Sequence, residues 1–260
     1  MASRPDQSEA HHGGSVPVLI ASYPRPRPPL PPAHTKIYVE EYKINRGESD
    51  RLLYRLTSTL ESWMHRRISA YGEGNRLLEL GAGTLNHLPY EDVSLQYDIV
   101  EPLPALYANS PDLARIGQVY ETISDVPAGT NYDRIVSVAV LEHLEDLPAL
   151  VANSGLLLAP GGIFQAGIPA EGGFLWGLSW RLSTAISYRL RTGLPYAPVM
   201  RHEHVNSAHE IIAILQWFFR DVRVDWFPLP LLHFSFYAYL EAQAPDLERC
   251  AAFLAGRARS

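Results

Sequence analysis

Arg76-Leu77-Leu78-Glu79-Leu80-Gly81-Ala82-Gly83 is a short apolar run that stops in a Gly-Ala-Gly turn. An apolar run of this length bounded by glycines reads as a buried strand ending at a tight corner. Glycine there lets backbone come close to a ligand, because no Cβ intrudes. Working outward, Asp98-Ile99-Val100-Glu101 reads as a second strand that ends in an acid, and Arg134-Ile135-Val136-Ser137-Val138 as a third. A fourth, Ile163-Phe164-Gln165-Ala166-Gly167-Ile168, is entered through Pro160-Gly161-Gly162. Helical stretches, Pro102 to Ser110 and Pro148 to Leu158, lie between the later strands. Strands that alternate with helices predict an α/β protein with a parallel sheet covered on both faces.

Beyond this centre, a helix is expected from Ala208 to Arg220, preceded by a Ser207/Glu210 capping-box pair. Strands at Asp221 to Phe227 and His233 to Ala242 finish the sheet. Ahead of it, Leu52, Leu56, Leu60, Trp63, Met64 and Ile68 share one face of a helix over residues 49–71, with Ser49 as N-cap and Gly72 as stop. Residues 1–35 hold prolines at 5, 17, 24, 26, 28, 29, 31 and 32 with almost no apolar periodicity. They read as a disordered arm ending in a polyproline II stretch. Arg25, Pro28 and Pro31 fit the spacing of ligands for proline-binding modules, and a stiff linker explains them as well. The expected organisation is thus an arm (1–35), a helical segment (36–75), a sheet domain (76–245) with an insert at 170–201, and a tail (246–260).

Composition narrows the function classes. The 260 residues carry 22 basic and 28 acidic side chains, a net charge of −6, so a basic nucleic-acid-binding stripe is not expected. Cys250 is the single cysteine, which excludes an internal disulfide and a cysteine-rich metal site. No secretory signal stands at the start, and the longest apolar stretch, Trp226 to Leu240, is interrupted by Pro228, Pro230 and His233. The chain is expected to be soluble and cytoplasmic, with surface attachment to a membrane left open.

Glu101 ends the second strand, so it and the glycine turn both point to the crevice beyond the carboxyl ends of the strands. An acid there can accept hydrogen bonds from both hydroxyls of a ribose. The dinucleotide fingerprint needs a third glycine where Asn86 stands, and the phosphate-binding Lys-Ser/Thr loop is absent. Glu79, two residues before the first glycine, can face an ammonium group.

Leu78-Glu79-Leu80-Gly81-Ala82-Gly83-Thr84, then Glu101, then Val140-Leu141-Glu142-His143-Leu144, then Leu158-Ala159-Pro160-Gly161-Gly162 together resemble class I S-adenosylmethionine-dependent methyltransferases of the broad small-molecule group. The resemblance covers about residues 76–170 and weakens towards 242. It implies a Rossmann-like, doubly wound, mostly parallel seven-stranded sheet with helices on both faces and an antiparallel last strand. It also implies residue roles. Gly81, Ala82 and Gly83 leave room for the methionine part of the cofactor, and Glu79 holds its amino group. Glu101 binds the ribose hydroxyls, Pro102 lies against the adenine, and Glu121 is the favoured acid at the adenine edge. Backbone at Val138 and Ala139 faces the sulfonium. Segment 36–75 caps the cofactor, and Arg46, with Tyr38, Tyr42 and Asn45 nearby, is a candidate for its carboxylate. Two departures, Leu85 at the family's third glycine and Pro89 within the first crossover, put the shape of that crossover in doubt.

A hydroxyl acceptor must lose its proton, so a base is expected where oxygen is methylated. His143 and His204 are the catalytic candidates, with His202 and Glu203 in the same polar cluster. His202-x-His204 lacks a third ligand at convincing spacing, so no metal is expected. The insert, rich in Phe174, Trp176, Trp180 and Tyr188 and interspersed with Arg181, Arg189 and Arg191, reads as a lid, an interfacial helix or plain packing. The function expected is methyl transfer from S-adenosylmethionine to an oxygen, less favourably a nitrogen, of a small-molecule, sugar or lipid-linked acceptor. Two rivals remain: a catalytically silent binding protein on the same fold, and a nicotinamide-dependent oxidoreductase. The oligomeric state is open.

Overall fold

The computed structural model describes residues 16–44, 61–70 and 74–259. β1 (Arg76–Leu80) pairs in parallel with β2 (Gln96–Val100) on one side and β4 (Tyr132–Val138) on the other. With β3 (Ile116–Tyr120), β5 (Leu158–Pro169), β6 (Phe219–Pro228) and β7 (Ser235–Pro245), they form one seven-stranded sheet of order β3-β2-β1-β4-β5-β7-β6. Only β7 runs against its neighbours. The sheet is the Rossmann-like, doubly wound one expected, with its antiparallel last strand. β1 and β2 are buried along nearly their whole length, as strands covered on both faces must be. Strand order reverses between β1 and β4, which opens a crevice at their carboxyl ends.

The helices are α1 (Val16–Ala21), α2 (Pro32–Ile44), α3 (61–69), α4 (Pro104–Tyr107), α5 (Leu147–Leu157), α6 (Phe174–Leu182), α7 (Thr184–Thr192), α8 (Ala197–Glu203), α9 (Ala208–Phe218) and α10 (Leu247–Arg257). One face of the sheet packs Leu78, Leu80, Ile135 and Phe164 against apolar residues of α5, α9 and α10. On the other face Leu77, Tyr97 and Val136 cluster with Ile68 of α3. Gly167 of β5 allows α3 to sit this close, since a Cβ there would stand 2.7 Å from Cβ of Met64. The Ser207/Glu210 capping box starts α9 as expected, each side chain satisfying the other's backbone N–H.

Four expectations change. Residues 16–35 are not a disordered arm: Ile20 and Tyr23 join the core. The Tyr23 hydroxyl donates to Asn206 (2.5 Å), Arg25 pairs with Glu210 (2.8 Å), and Arg27 bridges Glu145 (3.3 Å) and Glu203 (3.4 Å). The arginines between the prolines supply the anchorage that apolar periodicity does not, and Arg25 is committed inside the molecule. The tail is a helix: Asp246 accepts the Arg249 N–H at its start, and Cys250 is buried beside Gly155. The stretch 102–110 keeps only the single turn of α4, followed by a 3-10 turn at Pro111–Arg115. The crossover from β1 to β2 has no α-helix. Leu85 adopts φ +64°, and Pro89 sits in a 3-10 turn, Leu88–Tyr90. The helix predicted over 49–71 is present at 61–69. Its N-cap and stop, and Asn45 and Arg46, lie outside the described residues.

Candidate active site

At the end of β1 the chain turns through Gly81 (φ +70°) and Gly83 (φ +52°). The two glycines serve different ends. A Cβ on Gly81 would lie 2.6 Å from a Val140 methyl, so this glycine lets the loop after β4 close on the turn. A Cβ on Gly83 would meet nothing within 4 Å, so that side of the turn faces open space. Glu101, buried at the end of β2, ties the corner together: one oxygen accepts the Gly83 N–H (2.8 Å) and the other the Leu103 N–H (3.0 Å). Each oxygen keeps a second lone pair for a ligand hydroxyl.

Glu79 lies one layer deeper and is 3% exposed. The Tyr97 hydroxyl donates to it at 2.8 Å. Burial pushes its carboxyl up to about 7, against the lowering effects of His87 and of the Tyr97 hydrogen bond. It is an acid placed where no described cation pairs with it. Ala82 is buried in the turn, and Pro102 is exposed just past Glu101. Ala139, at φ +53°, follows β4 and donates its N–H to Gly167 O (2.8 Å). Glu121 is exposed directly after β3, whereas Asp125 is spent on the Thr122 N–H and hydroxyl. The structure therefore gathers Glu79, Gly81, Ala82, Gly83, Glu101, Pro102 and Ala139 at the carboxyl ends of β2, β1 and β4. Glu121 stands one strand further out.

The 140–144 motif continues from this crevice into a second one. Glu142 is buried, and its carbonyl accepts the N–H groups of Val205 (2.9 Å) and Asn206 (3.1 Å). Burial raises its carboxyl, and Oε2 has no hydrogen-bond partner among the described residues. His143 turns Nδ1 to the Glu203 carbonyl (2.8 Å) and has its ring edge-on to His204, centroids 4.8 Å apart. His204 Nδ1 meets Glu171 Oε2 at 2.5 Å. Burial lowers the His204 pKa, but Glu171, Glu142 and Glu203 outweigh it, and the net direction is up.

His204 and Glu171 line a cleft of about 420 Å³ with Trp176, Trp180, Met200 and Arg201. The buried Trp176 indole N–H has no acceptor among the described residues. His202 bonds the Pro28 carbonyl (2.8 Å), and Tyr38 donates to Glu203, so the polar cluster divides between the N-terminal segment and the cleft. No group of three metal-ligating side chains comes together among the described residues. Sequence reasoning missed Glu171, and named Trp176 only as one aromatic of the insert. Glu171 stands two residues past the end of β5, where strand ends build sites, and that position was its signal.

Residues 53–216 match the family described as a methyltransferase domain, and the chain belongs to that family. Sheet order and motifs make it a class I S-adenosylmethionine-dependent methyltransferase, which removes the oxidoreductase rival. No curated protein matches the sequence. Among solved structures it is similar to the N-methyltransferase NodS of Bradyrhizobium japonicum, in complex with S-adenosylhomocysteine. They share 15% identity over 77% of this chain and 94% of that one, with a TM-score of 0.53. It is also similar to phosphoethanolamine N-methyltransferase 2 of Haemonchus contortus (14%, 72% and 53%, 0.51). A third likeness is to an O-methyltransferase family protein of Burkholderia thailandensis (13%, 74% and 57%, 0.50). At these identities the likeness is one of fold, and the acceptor atoms differ among the relatives themselves. No helix of the described residues is long and apolar enough to cross a membrane.

Proposed function

We propose that the protein moves a methyl group from S-adenosylmethionine to an oxygen of a small-molecule, sugar or lipid-linked acceptor. The residues at the first crevice fit the cofactor: the space beside Gly83, the spare lone pairs of Glu101, and a buried acid at Glu79 that forms no ion pair among the described residues. When bound, the cofactor supplies an electrophilic methyl group on a sulfonium. Glu79 then faces its ammonium, Glu101 its ribose, and Glu121 and Pro102 its adenine. The observation that carries oxygen over nitrogen is the His204–Glu171 pair. With Nδ1 held by a carboxylate, the imidazole keeps its proton there and offers Nε2 as a base. An amine already carries its lone pair at high pH and needs no such group. His143, held by a backbone carbonyl, positions the loop.

The first test is calorimetric titration with S-adenosylmethionine, S-adenosylhomocysteine and NAD. Binding of the first two alone is expected; binding of none favours the silent binding protein. With an acceptor in hand, His204→Asn should lower kcat by ~10²–10⁴-fold at unchanged cofactor affinity. Wild-type kcat should rise with pH through a pKa above 6.5, because the base must be neutral, and the variant should lose that rise. An unchanged kcat would reject His204 as the base and leave an amine acceptor as the better reading.

A further inference from the structure

The described residues expose large apolar side chains unevenly. Eight of the fifteen fall in two short segments, 174–190 and 229–234. Phe174 (65% exposed), Leu178, Leu182 (62%), Ile186 and Leu190 (84%) lie on α6 and α7. Leu229, Leu231 and Phe234 lie in the loop between β6 and β7. The two segments adjoin: α6 packs on the 232–234 turn, and a Cβ on Gly173 would stand 2.5 Å from the Leu232 carbonyl. They form a single surface, and the cleft that holds His204 is walled by α6 and α8 beside it.

Charge on this surface runs against the rest of the molecule. The chain carries net −6, yet Gly172 to His202 contains no Asp or Glu and four arginines, 181, 189, 191 and 201. Trp226 to Leu240 is equally free of acids. Arg189 and Arg191 are exposed in the last turn of α7. An exposed apolar face whose own segments carry arginines and no acid, on a protein otherwise acidic, complements apolar chains beneath anionic headgroups. We infer that α6, α7 and the 229–234 loop dock on an anionic lipid bilayer, seating the mouth of the acceptor cleft at the membrane surface. A second copy of the chain would bring the same arginines face to face, which charge opposes.

Delivery of a lipid-borne acceptor to that mouth rests on the methyl-transfer proposal. Docking itself is read without cofactor or acceptor. The experiment is sedimentation of the full chain with vesicles of phosphatidylcholine containing about a third phosphatidylglycerol, and with pure phosphatidylcholine. Wild type should partition onto the mixed vesicles and not the neutral ones, and high salt should weaken binding. Arg189→Gln with Arg191→Gln should lower the partition coefficient roughly 30-fold, at about fivefold per arginine near an anionic surface. Leu182→Asp with Leu190→Asp should abolish binding. Val93→Asp, in the exposed turn before β2, is the surface control and should change nothing. Circular dichroism and S-adenosylhomocysteine affinity verify that each variant is folded. Equal binding to neutral vesicles, or none to anionic ones by a folded wild type that still binds cofactor, overturns the inference. A dimer dispersed by the Leu182 and Leu190 changes overturns it in favour of a second copy.

Discussion

Glu79 offers a test of the cofactor site that needs no acceptor. In the folded protein it titrates near 7, raised chiefly by burial, against 4.5 as the ordinary value. A raised pKa means that the folded state holds a proton which the unfolded chain has released. Stability is therefore complete below about 4.5, declines as pH rises, and levels off above about 7, having lost about 3 kcal/mol. Glu79→Gln keeps the shape and the acceptor for Tyr97 but cannot ionise. It should flatten this decline and raise the thermal midpoint at pH 8 by roughly 6–12 °C, at about 2–4 °C per kcal/mol for a chain of this size. The cofactor's ammonium, placed against Glu79 as proposed, has the opposite effect: it favours the carboxylate, so binding should expel the proton. At pH 6 about 0.9 of Glu79 is protonated and at pH 8 about 0.1. Titrating S-adenosylhomocysteine in buffers of different ionisation enthalpy should then show release of up to ~0.9 proton at pH 6 and close to none at pH 8. The Gln variant should bind more weakly and release none of this proton. Identical proton release by wild type and variant would refute the placement of Glu79 against the amino group.

Two further outcomes follow from buried carboxylates. Glu101→Ala should weaken S-adenosylhomocysteine binding by ~1–3 kcal/mol, the scale of a hydrogen bond to a charged group, and lower the thermal midpoint because the Gly83 and Leu103 N–H groups lose their acceptor; an unchanged dissociation constant would remove Glu101 from the site. Arg134→Met leaves Glu91 buried without the guanidinium that holds both its oxygens, and should cost ~3–5 kcal/mol in urea denaturation at pH 7, with a loss under ~1 kcal/mol contradicting the pairing.

How much of this was legible depends on whether a feature is local. β1, β2, β4 and the core of β5 are apolar runs closed by turn residues, and each is where the sequence places it. The capping box of α9 is a three-residue pattern and survives intact. β3 was not placed, because its Gln118 and half-exposed pattern resemble an edge loop. Its Gly117 is set by Asp98, where a Cβ would come within 2.7 Å of Oδ1, a contact from another strand. The N-terminal segment failed for the same reason. Its anchors, Tyr23 to Asn206 and Arg25 to Glu210, span more than 180 residues, and a run of prolines carries no sign of them. His204 was legible as a polar residue near the mouth, but its partner Glu171 became visible only when α8 brought the two within 2.5 Å.

The motif loop ties the two crevices together, as the proposed reaction requires. Val140 packs against Gly81, so the loop's position is set by the turn that faces the cofactor. Two residues on, the Glu142 carbonyl takes the N–H groups of Val205 and Asn206, directly after His204. Asn206 closes the arrangement: its amide donates to the carbonyls of Leu141 and Leu144 (2.8 Å each) and its oxygen accepts from Tyr23. A buried amide with its hydrogen bonds made inside the protein fixes geometry more firmly than packing alone. Methyl transfer requires the acceptor atom and the methyl carbon to be held in line. Here the proposed base, His204, and the glycine turn proposed to face the cofactor are both fastened to residues 140–144, so neither can shift without straining the other.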